Sequence, residues 1–173
     1  RESSLLTRTY YRGGGARPNL FKATINYPGF ANGDAELTSF LVEAAALPGS
    51  TFGTIAVPFR GRILKMAGDR TFAEWNTTII NDTDFNVRDA IERWMNGINA
   101  HSQNTGLTTP IAYEADLKVD QLDRDGSTLK TYTFRGAYPQ DLSEIALSYG
   151  DNDNIERFTC IWAYQYFESN TTS

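Results

Sequence analysis

Residues Asn86 to Ile98, Asn-Val-Arg-Asp-Ala-Ile-Glu-Arg-Trp-Met-Asn-Gly-Ile, narrow the folds open to this chain more than any other segment. Val87, Ala90, Ile91, Trp94, Met95 and Ile98 recur at helical intervals and fall on one stripe of a 3.6-residue helix. Arg88, Asp89, Glu92, Arg93 and Asn96 take the outward face, with Arg88/Glu92 and Asp89/Arg93 spaced for ion pairs. Asn86 is placed to cap the N-terminus, Phe85 to staple back onto the first turn, and Gly97 to end the helix. A helix with one apolar stripe must lie on another layer. The chain on both sides alternates apolar and polar residues with period two, as strands do. The sequence therefore predicts a mainly β protein, a barrel or sandwich of antiparallel strands, with one flanking helix on its outside.

With 173 residues, 40% of them hydrophobic, the chain can bury a core without disulfides or metals. Residues 1–18 read as an N-terminal arm rich in Tyr, Arg and Gly, 19–168 as a single β domain, and 169–173 as a polar tail. The net charge of −5 argues against a surface made to grip nucleic-acid phosphates. No run is long enough to span a membrane and no secretory signal pattern opens the chain, which predicts a soluble protein not exported by that route.

Phe21, Ala23, Ile25 and Tyr27 alternate with Lys22, Thr24 and Asn26 in a first strand, and Leu37 to Ala45 reads as a second, joined to it as a hairpin by a long loop. Residues 50–70 carry Ile55, Val57 and Phe59, then Arg60, Arg62, Lys65 and Arg70. Such a run is usually just solvated. In an acidic protein it is also suited to an acidic patch on another copy. Thr71 to Ile80 reads as one strand leading into the helix. Ala112 to Leu122 sets Tyr113, Ala115, Leu117 and Val119 against Glu114, Asp116, Lys118 and Asp120, so a mostly acidic face must look at water. Asp123-Arg-Asp-Gly126 closes a hairpin to a strand that ends at Gly136 to Pro139. Glu144 to Tyr149 reads as a short strand and Ile155 to Phe167 as a last, central one.

Catalytic chemistry is hard to assemble from these residues. One histidine, His101, and one cysteine, Cys160, cannot build a metal set based on those ligands. Gly13 to Gly15 lack the Gly-Lys-Ser/Thr ending of a phosphate loop. Asp123-Arg-Asp-Gly and Asp151-Asn-Asp-Asn are fragments of calcium loops without the remaining ligands, and read as turns. The reading is a protein without catalysis, cofactor or metal.

Several segments in order resemble one family: Ala16-Arg-Pro-Asn-Leu-Phe21, Ala46-Leu-Pro-Gly49, Ala67-Gly-Asp-Arg-Thr-Phe72 with Trp75, the helix ending in Trp94, Gly136-Ala-Tyr-Pro139, and Asn152-Asp-Asn-Ile-Glu-Arg-Phe158. Together they resemble the tail tube proteins of contractile-tailed bacteriophages of the T4 type, over roughly residues 5 to 168. The resemblance implies a structural virion protein, assembled in the host cytoplasm, whose hexameric rings stack into a tube inside the contractile sheath. It implies as partners other copies of the chain, the sheath protein, the baseplate tube initiator and the tail terminator. It further implies that the tape measure protein and the genomic DNA pass through the lumen without specific binding. Ring stacking is carried to Leu47, Pro48, Arg60, Arg62 and Arg70, the lumen wall to Glu114, Asp116 and Asp120, and sheath contact to Asp89, Glu92 and Arg93. Competing readings are the inner tube of a type VI or other contractile injection system, and a monomeric β-sandwich module that stacks its Tyr and Trp residues on sugars.

Overall fold

The computed structural model describes residues 18–100, 106, 109–150 and 154–171, and these form nine strands and three α-helices. One antiparallel sheet runs in the order β1 (Phe21–Ile25), β6 (Ala115–Leu122), β7 (Thr128–Leu142) and β9 (Tyr166–Ser169). A second runs β7, β8 (Arg157–Ala163), β5 (Trp75–Ile80) and β2 (Val42–Ala45). The strand β7 belongs to both. Tyr132–Arg135 pair with β9, whereas Tyr138–Leu142 pair with β8. Gly136 sits at the changeover with φ +62°, and a Cβ there would lie 2.7 Å from Gln165 Cγ. Only glycine takes that backbone conformation at little cost. The result is an open sandwich bent from one long strand, not a closed barrel.

The inner faces carry Ala23, Ile25, Leu117, Val119 and Phe134 from the first sheet, and Trp75, Ile79, Phe158, Cys160 and Trp162 from the second. Trp75 stacks on Phe134 with ring centroids 4.6 Å apart. Helix α2 (Asn86–Ile98) has the predicted limits, and Val87, Ala90, Ile91 and Trp94 are its buried stripe. It flanks the sheets with this stripe turned inward. Trp94 touches Trp162 of the second sheet and Tyr27 beyond β1, so the stripe completes the same core as both sheets. All three indole N–H groups are satisfied: Trp75 donates to the Ala46 carbonyl, Trp94 to that of Tyr113 and Trp162 to Thr77 Oγ1. Buried polar groups need such partners.

Several boundaries differ from the sequence reading. The segment from Leu37 begins inside helix α1 (Ala35–Leu41), and only then becomes β2; Asp34 caps the helix by accepting from the Glu36 and Leu37 amides. No hairpin joins β1 to β2, because the helix turns the chain into the other sheet. Thr71 and Phe72 close strand β4 (Arg62–Phe72), and two residues separate them from β5. Tyr113 ends the short helix α3 (Pro110–Tyr113) in place of opening a strand. The strand from Thr128 does not stop at Gly136. Residues 144–149 form no strand, and the last strand is broken at Tyr164-Gln165 into β8 and β9. At α2, Asp82 supplies the carboxylate that accepts from the Asn86 amide, so Asn86 is not the cap. Phe85 is the cap residue, with φ +56° and its side chain exposed, and is not a buried staple. The helix passes Gly97, whose missing Cβ makes room for the Phe30 ring. Residues 1–17 of the arm at 1–18, and His101, lie outside the described residues.

Candidate assembly surfaces

Strands β3 (Ser50–Phe59) and β4 form a separate two-stranded sheet, turned by Arg60-Gly61 with φ +46° and +75°. Two positive φ values in a two-residue loop match the twist of a tight hairpin. Every residue of β3 is exposed. The pairing of Ile55 with Met66, Val57 with Leu64 and Phe59 with Arg62 puts Ile55, Val57, Phe59, Leu64 and Met66 on one face. Burying each such side chain fully is worth about 1.5–3 kcal/mol, and in a single chain much of that contribution is not made. An apolar hairpin standing in water is marginal alone and marks an interface.

Charge follows the same division. The hairpin holds Arg60, Arg62, Lys65 and Arg70 against Asp69, so with a chain total of −5 the remainder carries −8. Arg60 leans over the Phe59 ring at the tip. Arg70 does not join them. It sits at the root, its guanidinium 5.3 to 5.6 Å from the ring centres of Phe52, Phe72 and Phe167, and donates to Ser50 Oγ. Leu47 and Pro48 lie in the link from β2, also at the root. The five residues expected at a stacking contact thus divide into a tip, Arg60 and Arg62, and a root, Leu47, Pro48 and Arg70. Leu64 and Met66 were missed, although their alternation about Arg60-Gly61 mirrors that of Ile55, Val57 and Phe59.

The outer face of the first sheet is polar. Register places Lys22 beside Asp120, and Thr24 and Thr133 beside Lys118. Arg135 bridges three strands by donating to Asp116 at 2.6 Å and Glu168 at 3.2 Å, and those bonds raise its pKa. Three cations, Lys22, Lys118 and Arg135, balance three acids, Asp116, Asp120 and Glu168, so this face is not the acidic one expected from β6 alone. Asp120 does not look at water. It is 7% exposed, accepts from Thr131 Oγ1 at 2.6 Å and lies 3.5 Å from Lys118. Glu114 stands before the strand and accepts from Gln165. Cross-strand partners, invisible in one strand's alternation, make the difference.

On α2, Glu92 pairs with Arg88 at 3.2 Å. Arg88 does not face outward: it lies over the Phe158 ring and donates to the Ser143 carbonyl. Arg93 donates to the Ala31 and Asn32 carbonyls and shows no bond to Asp89. Of the three residues expected at the sheath, Asp89 and Glu92 are not engaged in holding the fold together in this way. No cluster of His, Cys, Asp and Glu fit for a metal occurs among the described residues. Burial pushes the Cys160 thiol up, which makes it a poor nucleophile.

Among the described residues the outer strands β1, β9 and β2 each keep one unpaired edge and the apolar hairpin is exposed, features that mark interaction surfaces. The chain belongs to the phage tail tube protein family, whose model matches residues 16–170. It is 31% identical over 164 residues to the tail tube protein gp19 of Enterobacteria phage T4, covering 94% of this chain and 97% of that one. It is 33% identical over 157 residues to the tail tube protein of Serratia phage KSP90, covering 88% of each. The fold resembles a chain in the tube-terminating cap of the anti-feeding prophage, with a TM-score of 0.67, 16% identity and 92% coverage of both chains. It also resembles a chain in the sheath-tube complex of an extracellular contractile injection system, with a TM-score of 0.60, 14% identity, and coverage of 90% of this chain and 91% of that one. The protein is therefore a structural component of the virion tail tube and not an enzyme.

Proposed function

We propose that copies of this chain form hexameric rings that stack into the inner tube of a contractile tail and conduct DNA into the host. The β3–β4 hairpin carries this reading, since ten exposed residues of β3 have no role in the monomer's core. Its tip enters the neighbouring ring, while Arg70, Leu47 and Pro48 hold its root. Within a ring, β1 of one copy pairs with β9 of the next, which closes the four-stranded sheets into one barrel and removes their edges. The outer face of that sheet, including Asp116, lines the lumen, with Asp120 buried in it beneath Thr131 and Lys118; Glu114 stands at its end. Because the face is balanced, it offers DNA no cationic track to grip. Asp89 is the helix residue available to the sheath protein, and the tube initiator and terminator meet the two ends.

Replacing Arg60 and Arg62 together by Glu tests the stacking role. The variant should stay folded by circular dichroism and form few or no tubes on baseplates in electron micrographs. Tubes of normal length and number would overturn it.

A further inference from the structure

The hairpin needs a receiving surface, and the chain offers one whose lining is separate from the hairpin. A groove of about 650 Å³ runs between the last turn of α2 and the Tyr138–Leu142 part of β7. Met95, Ile98, Tyr138, Pro139 and Leu142 make it apolar; among the described residues Glu92 is the only charged one lining it, and no cation does. This part of β7 pairs with β8 on one side and is the outer strand of its sheet on the other. Neither β3 nor β4 contributes to the lining.

We infer that this groove receives the hairpin tip of a second copy of the chain. The inference rests on the hairpin's role in stacking and names the surface that it meets. Three observations support it. The apolar face of Ile55, Val57, Phe59 and Leu64 matches an apolar floor. Arg60 and Arg62 stand at the tip of that face, and Glu92 stands at the groove with 54% of its side chain exposed. The donor and acceptor surfaces are different parts of one chain, so the contact is heterologous: each copy that gives a hairpin still has a groove to fill, and the assembly grows head to tail. A contact between identical patches would stop at a dimer. Opposite charges at the rim would orient approach, and the apolar face would supply the affinity.

The test is a chain carrying Arg62→Cys and Asn96→Cys, assembled on baseplates and treated with a short bifunctional maleimide. The native Cys160 is fully buried and does not compete. The double variant should give a covalent ladder well beyond dimers, and each chain with one added cysteine a dimer at most. Normal tubes from the double variant without a ladder would overturn the inference while leaving hairpin stacking intact. A charge exchange gives an independent answer. Glu92→Arg should shorten tubes at least tenfold, and Arg62→Glu in the same chain should restore them. If Glu92→Arg tubes are normal but no longer recruit sheath, the groove belongs to the sheath protein and the inference fails. Normal polymerisation of the Arg60→Glu, Arg62→Glu chain, in contrast, would remove the stacking role itself.

Discussion

Tyr27 shows how a residue read as part of a strand acquires a role from its surroundings. Its hydroxyl shares a hydrogen bond with Thr38 in α1, and its ring meets Trp94, tying two helices to the end of β1. Burial pushes its pKa from 10.0 up to about 12. The folded chain thus keeps the phenolic proton to higher pH than the unfolded chain does, so the contribution is whole below the ordinary value and is lost as the pH rises from there to about 12. Urea midpoints should fall across that window, and Tyr27→Phe should flatten this part of the curve. The alternation of Phe21, Ala23, Ile25 and Tyr27 identified the inward face, but nothing in it indicates a partner eleven residues away on a helix.

Among the elements, α2 was legible because a long segment with one clean period outweighs local ambiguity. The bent strand β7 was not. Gly136 reads as a strand end, yet it is the corner that lets one strand serve two sheets, with the Gln165 amide donating to the Arg135 carbonyl across the bend. Gly136→Ala would force an L side chain into the left-handed region, at a cost of about 1–2 kcal/mol, and press it on Gln165. The total loss expected is about 1–3 kcal/mol, within the range for strain at a special backbone position, measurable as a lowered urea midpoint. The hairpin of β3 and β4 was legible only as basic and apolar residues in succession. Its strands pair locally, but that both faces remain exposed depends on where the rest of the chain is not.

For the whole molecule, the proposed lumen face depends on four strands drawn from both ends of the chain. Asp116 and Asp120 suggest an acidic wall only until Lys22, Lys118 and Arg135 are brought beside them. Replacing Asp120 by Lys would break a buried contact, so the cleaner variant is Thr24→Lys with Thr133→Lys, which adds two cations beside Lys118 on the balanced face. Tubes should still form, while DNA ejection measured by dye fluorescence should slow several-fold at low salt and recover as salt rises, because phosphate attraction is screened. Ejection unaffected by the added cations would place this face outside the channel.

The sequence by itself determined the class of fold, the central helix to its end residues, the inward faces of most strands and the family, because period and ordered segments are local and survive without coordinates. Tertiary structure decided which strands share a sheet, which charges are paired and which apolar residues are left outside. Alternation says that a strand has two faces. Only the packing of distant segments says what, if anything, covers each of them: the hairpin's Ile55, Val57 and Phe59 alternate as cleanly as the buried Phe158, Cys160 and Trp162, yet the described residues leave them exposed.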